Sequence, residues 1–198
     1  MNYLGHALVS HLRRDEAVVC VGNLLGDALG RVRPRIDPAN SVFGPGLRLH
    51  REIDAFCDGH PVTRECLELL RRSLSRGASI VMDVAYDHFL LAHLADGGDE
   101  VIAYAHSGIQ SCLSTLPSPA DIVAGDVVLN GRLAANRSLD GVNETLRRIV
   151  RRRPALPLDP DRAVDAVTEE YALLAELSGQ FFDALRQRFQ TESSHPNL

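Results

Sequence analysis

Three apolar segments of this chain each carry two polar side chains four residues apart: Asn23 and Asp27, His50 and Asp54, Asp83 and Asp87. A step of four brings two side chains onto one face of an α-helix. A carboxylate among apolar neighbours needs a partner, because burying an unpaired charge is expensive. A single pair of this kind reads as a salt bridge to an arginine. Three pairs predict helices that turn their polar groups into one pocket of a bundle. His6, His60 and His88 lie near these pairs in sequence. The donor set is oxygen and nitrogen without thiolate, which suits Mn²⁺, Mg²⁺, Fe²⁺ or Zn²⁺ with positions left open for water and substrate.

Helical spacing recurs along the whole chain. Apolar residues at steps of three and four predict helices over 2–13, capped by Asn2, and over 15–29. A loop or lid rich in Pro and Gly follows at 30–46. The central helix carries His50, Asp54 and Asp58 on one face and ends at Gly59; Pro61 opens the next, to about Leu74. His60 stands at that junction. Residues 78–95 form the most apolar helix, with Asp83, Asp87 and His88 set into it. Further helices are expected over 99–115, 119–130, 134–151 and 161–189, with a polar, frayed tail from Thr191. The pattern is all-α. The length of 198 residues fits one domain, a single-domain helical bundle whose first half, 1–95, carries the motifs and whose second half supplies the helices of 99–190.

Charge and composition remove several classes of function. A net charge of −5 argues against a general nucleic-acid binder. No apolar run approaches the roughly 20 residues needed to span a bilayer, and no secretory leader is visible at Met1. Cys20, Cys57, Cys66 and Cys112 form no CxxC pair and no disulfide framework. A reduced, soluble, cytoplasmic protein is the expectation.

Five blocks then carry a resemblance: Met-Asn-Tyr-Leu-Gly-His at 1–6, Gly-Asn-Leu-Leu-Gly-Asp at 22–27, His-Arg-Glu-Ile-Asp-Ala-Phe at 50–56, Asp-Gly-His-Pro at 58–61 and Asp-Val-Ala-Tyr-Asp-His-Phe-Leu at 83–90. In this order they resemble the acyl-carrier-protein phosphodiesterase family, related to the HD-domain metal phosphohydrolases. The likeness covers residues 1–95 and continues loosely through Phe181 and Phe182. It implies an HD-domain-like helical fold and removal of 4′-phosphopantetheine from holo-acyl carrier protein, usually with Mn²⁺. It makes His6, Asp27, His50, Asp54, Asp87 and His88 candidates for the metal, Asp27 among the catalytic groups, and His60 and Asp83 candidates for proton transfer or support.

Two further expectations concern substrate. Asn23 and Arg51 are candidates to hold the phosphoryl oxygens, Arg51 in a bidentate manner. Carrier proteins are acidic, so docking calls for a local basic patch. Arg71, Arg72 and Arg76 rank first for that role, ahead of Arg147, Arg148 and Arg151 to Arg153, because they follow the motifs closely. The competing functions are an HD-like phosphohydrolase acting on a nucleotide or other small phosphoester, and a non-catalytic, metal-stabilised helical protein that binds a partner.

Overall fold

The computed structural model describes residues 3–74, 76–94, 96 and 98–190, and among these every regular element is helical. The helices are α1 (Tyr3–Arg13), α2 (Ala17–Leu24), α3 (Gly26–Leu29), α4 (Gly44–Gly59), α5 (Pro61–Ser73), α6 (Ala78–His93), α7 (Asp99–Cys112), α8 (Ala120–Leu129), α9 (Arg132–Ala135), α10 (Leu139–Arg152), α11 (Pro160–Glu169) and α12 (Tyr171–Gln190). A short 3₁₀ turn, Leu113–Thr115, follows α7. One continuous apolar core runs through all of them, from Leu4 and Leu8 to Phe181, Phe182 and Phe189.

The all-α expectation and most element positions hold, and the differences have local causes. The helix expected over 15–29 is two, because the backbone turns at Leu25 (φ −101°, ψ 18°) and Gly26 then opens α3. The loop after α3 is shorter than expected, since Pro45 sits in the first turn of α4, where its missing N–H costs nothing. The helix expected over 134–151 is divided into α9 and α10 at Asn136, and Ser138 caps α10 by accepting from Gly141 N–H. The long helix expected at 161–189 breaks at Glu170 into α11 and α12. The capping role expected of Asn2 and the tail from Thr191 lie outside the described residues.

Helix α6 is buried on nearly every side, as its unbroken apolar run requires, and α12 packs across α1, α5 and α6. The packing most consequential for the site is the crossing of α2 and α4, where two glycines bring the backbones together. A Cβ on Gly22 would lie 2.5 Å from the carbonyl oxygen of Phe43, and one on Gly46 only 2.2 Å from that of Val19. Neither obstacle is a side chain that can swing away. Overfilling a packed contact of this kind costs about 1–3 kcal/mol, and rigid backbone on both sides puts this one at the upper end. Gly46→Ala is therefore expected to lower unfolding stability by about 3 kcal/mol, read as a lower urea midpoint at unchanged m value.

Candidate metal centre

The α2–α4 crossing sets Asn23, buried on α2, beside His6 of α1 and His50 of α4. Asn23 donates through Nδ2 to the carbonyl oxygen of His6 (2.9 Å) and to Oγ of Ser10 (3.0 Å). Its Oδ1 is thereby the acceptor for Nδ1 of His6 at 2.9 Å, so that nitrogen carries the proton. The backbone carbonyl of the same asparagine accepts from Nδ1 of His50 at 2.8 Å. One residue fixes the tautomer of both rings, which stack with centroids 4.3 Å apart. Gly26 leaves room for the second ring: a Cβ there would meet Cγ of His50 at 2.4 Å.

Both Nδ1 atoms donate, which leaves both Nε2 atoms to face Asp54, with a lone pair on each ring that is neutral. His6 Nε2 is 3.2 Å from Asp54 Oδ1, and His50 Nε2 is 3.2 Å from Asp54 Oδ2. His6 Nε2 is buried and has no hydrogen-bond partner among the described residues. Burial lowers the His6 pKa, outweighing the pull of Asp54, so the ring has little tendency to take a proton. Partial burial raises the Asp54 carboxyl, but its contact with His6 prevails and brings it to about 2. His6, His50 and Asp54 offer ligand atoms within 4.8 Å of one another and form a group that could hold a metal ion.

Asp27, on α3, extends the group outward. Its Oδ1 lies 3.6 Å from His50 Nε2, while its side chain is 84% exposed. Its interaction with the nearby His50 ring outweighs partial burial and keeps its carboxyl low. Burial lowers the His50 pKa, but Asp27 and Asp54 together reverse this and raise it overall.

The remaining sequence candidates stand apart from this group. Asp87 is buried on α6 and accepts from the backbone N–H of Leu4 (3.1 Å) and from Asn136 Nδ2 (3.5 Å). Burial pushes its carboxyl up to about 7. His88 donates from Nδ1 to the carbonyl of Asn136 (2.9 Å), and its Nε2 accepts from the Tyr171 hydroxyl (3.0 Å). Neither ring nitrogen is left for a ligand. His60 caps α5, its Nδ1 accepting from Val62 N–H, with its ring against Phe56 and Phe181. Asn23 is fully buried and committed to the two histidines, which removes it from direct contact with substrate. Arg51 is exposed on α4.

A cleft of about 440 Å³ opens beside Asp27. Asp83 and Asp27 line it together with Arg31, Arg132, Arg152 and Arg153, and its apolar wall includes Ile80 and Ile149. The two arginine clusters differ in their relation to this cleft. Arg152 and Arg153, distant in sequence, close over the cleft, whereas Arg72 is paired with Glu170 at 3.5 Å. Sequence reasoning also missed Asn136, which no spacing rule marks because its partners come from α6 and α10. The only available signal was its position between two turns.

Two expectations follow from the ring geometry. Asn23→Ala should weaken Mn²⁺ binding about 10–100-fold in calorimetric titration, the usual cost of removing a group that orients a ligand histidine. A pKa raised by folding means that His50 stabilises the ion-free protein fully below its unfolded value near 6.5, and that this contribution is lost as pH rises through the folded value. Ion binding must displace that proton. Affinity should therefore rise with pH, level off above the folded His50 pKa, and release protons below it, measurable by titration in buffers of different ionisation enthalpy.

Comparison with known proteins bears on the family. A family profile described as Acyl carrier protein phosphodiesterase matches residues 1–185. The chain is 31% identical over 204 residues to the acyl carrier protein phosphodiesterase of Shigella boydii serotype 4 (strain Sb227), covering 100% of both chains. It is likewise 31% identical over 195 residues to the protein of that name from Salmonella agona (strain SL483), spanning 96% of this chain and 92% of the relative. No solved structure matches it. Coverage from end to end, with the buried His6–His50–Asp54 group inside the matched region, makes this chain a member of the acyl carrier protein phosphodiesterase family.

Proposed function

We propose that this protein hydrolyses the phosphodiester between 4′-phosphopantetheine and the serine of holo-acyl carrier protein, releasing apo-carrier, at an ion held by His6, His50, Asp54 and Asp27. The family is one of hydrolases named for that substrate. The observation that carries the reading is the convergence of His6 Nε2, His50 Nε2 and the Asp54 carboxylate, a donor set suited to a cation. Mn²⁺ is the ion we assign, with the nitrogen and oxygen donors in its favour. Such an ion supplies charge against the phosphoryl oxygens and acidifies water.

The protein's own groups do the rest. Asp27, ionised and open to the cleft, accepts a hydrogen bond from the attacking water and takes its proton. As the water oxygen bonds to phosphorus, the bond from phosphorus to the serine oxygen breaks, and the leaving oxygen needs a proton. Asp83 lines the same cleft and is our candidate for that donor. Its side chain is open to solvent, and desolvation on the cleft side raises its carboxyl from the usual range. Asp87 and His88 act at a distance, by holding α1 and the Asn136 turn in place. Arg153 at the cleft and the exposed arginines of α10 supply the local basic face toward an acidic carrier. A cytoplasmic setting accords with this substrate, and no helix among the described residues is long and apolar enough to cross a membrane.

Intact mass spectrometry of holo-carrier protein incubated with enzyme and Mn²⁺ tests the reading. Loss of the phosphopantetheine mass is expected, and Asp27→Ala should lower the rate by about 10²-fold or more with helical content retained. Turnover of a nucleotide with none of the holo-carrier would sink the proposal. His60→Asn should keep most activity, since asparagine caps at least as well; a large loss at unchanged stability would restore this histidine to the chemistry.

A further inference from the structure

The cleft beside Asp27 has more structure than hydrolysis of a phosphodiester requires. Its volume of about 440 Å³ lies within the range of pockets that enclose small organic ligands. Ile80 and Val84 of α6, Val123 of α8 and Ile149 of α10 give it an apolar wall from three different helices. The Tyr3 side chain also lines it, and its hydroxyl has no hydrogen bond among the described residues.

The charged part of the lining is built rather than incidental. Asp126 of α8 pairs with Arg132 and, at 3.3 Å, with Arg152, so two guanidinium groups from different elements are held together. Arg132 is largely enclosed, and its Nε is buried without a hydrogen-bond partner among the described residues. Arg31 and Arg153 line the same space with no ion pair among the described residues. An arginine-rich end suits a phosphate, which guanidinium groups can bind with paired N–H donors. An apolar wall of branched side chains suits a compact alkyl group.

The geometry points to this cleft as the seat of the pantetheine arm: the dimethyl pantoyl portion against Ile80, Val84, Val123 and Ile149, and the phosphate between Arg132, Arg152 and the ion site at Asp27. This rests on the proposed reaction and deepens it, because it makes recognition of the arm a property of α6, α8 and α10 rather than of the ion-binding helices. A nucleotide offers a phosphate but a flat polar base where the wall is branched and apolar. The arm is the better match.

The test is methyl-detected NMR of the full chain, titrated separately with pantetheine, 4′-phosphopantetheine and AMP. Pantetheine is expected to give saturable shifts at the methyls of Ile80, Val84, Val123 and Ile149. The phosphorylated form should bind about tenfold more tightly, the gain typical of one charge-assisted contact. Arg152→Ser should remove most of that gain while leaving pantetheine affinity nearly the same. Ile149→Glu should weaken both ligands by about tenfold or more. Val123→Glu, on a different and partly exposed helix, should do the same and guards against a local folding defect in the first variant. Shifts that never saturate, that fall elsewhere on the protein, or that appear with AMP and not with pantetheine would overturn the assignment. The two readings fail separately. Turnover of holo-carrier without pantetheine binding removes the cleft assignment alone, and pantetheine binding without turnover removes the reaction alone.

Discussion

The buried amide of Asn23 is the interaction on which the site depends. It uses both ends at once: Nδ2 ties α2 to α1 through His6 and Ser10, and Oδ1 and the backbone carbonyl each hold one imidazole. An unsatisfied amide at that depth would cost about 1–3 kcal/mol, so the network is held by the fold's own need for hydrogen bonds. The turning of both Nε2 atoms toward Asp54 is a by-product of satisfying Asn23. Two glycines make this possible, since the asparagine carbonyl reaches His50 only because α2 and α4 cross at backbone distance. Function and packing share the same contacts here.

A second buried carboxylate does a different job. Asp87 holds the first turn of α1 from below through Leu4 N–H and reaches Asn136, which also accepts from the Thr145 hydroxyl at 2.8 Å and from His88. The wall of the cleft and the helix that carries His6 therefore meet at one side chain. Its carboxyl, pushed up to about 7 by burial, is spared the full cost of an isolated charge.

Much of this was legible in the sequence, and the limits of that reading are physical. The i,i+4 rule held for His50 and Asp54, which share one face of α4, whereas Asn23 and Asp27 come together across the break at Leu25. It could not tell which pairs converge: Asp83/Asp87 and His88 have the same spacing and the same apolar neighbours, yet Asp87 and His88 hydrogen-bond to backbone, to the Asn136 side chain and to Tyr171. Only the partners distinguish the two cases, and the partners are remote in sequence. Helix breaks at Leu25, Asn136 and Glu170 were missed for a related reason, since the apolar period runs on through each of them. Nearness in sequence also does not report nearness in space: Arg152 reaches the cleft through the packing of α10 on α6.

His6 and His50 sit on helices far apart in the chain and share one carboxylate. Any ion they hold is thus also a cross-link, closing the long loop between α1 and α4. The four cysteines are buried and unpaired, so the described chain has no covalent staple of its own. In the loop-entropy picture, a disulfide closing a loop of that length would be worth about 4 kcal/mol. The supply of metal would then set how long the folded chain persists as well as how fast it turns over.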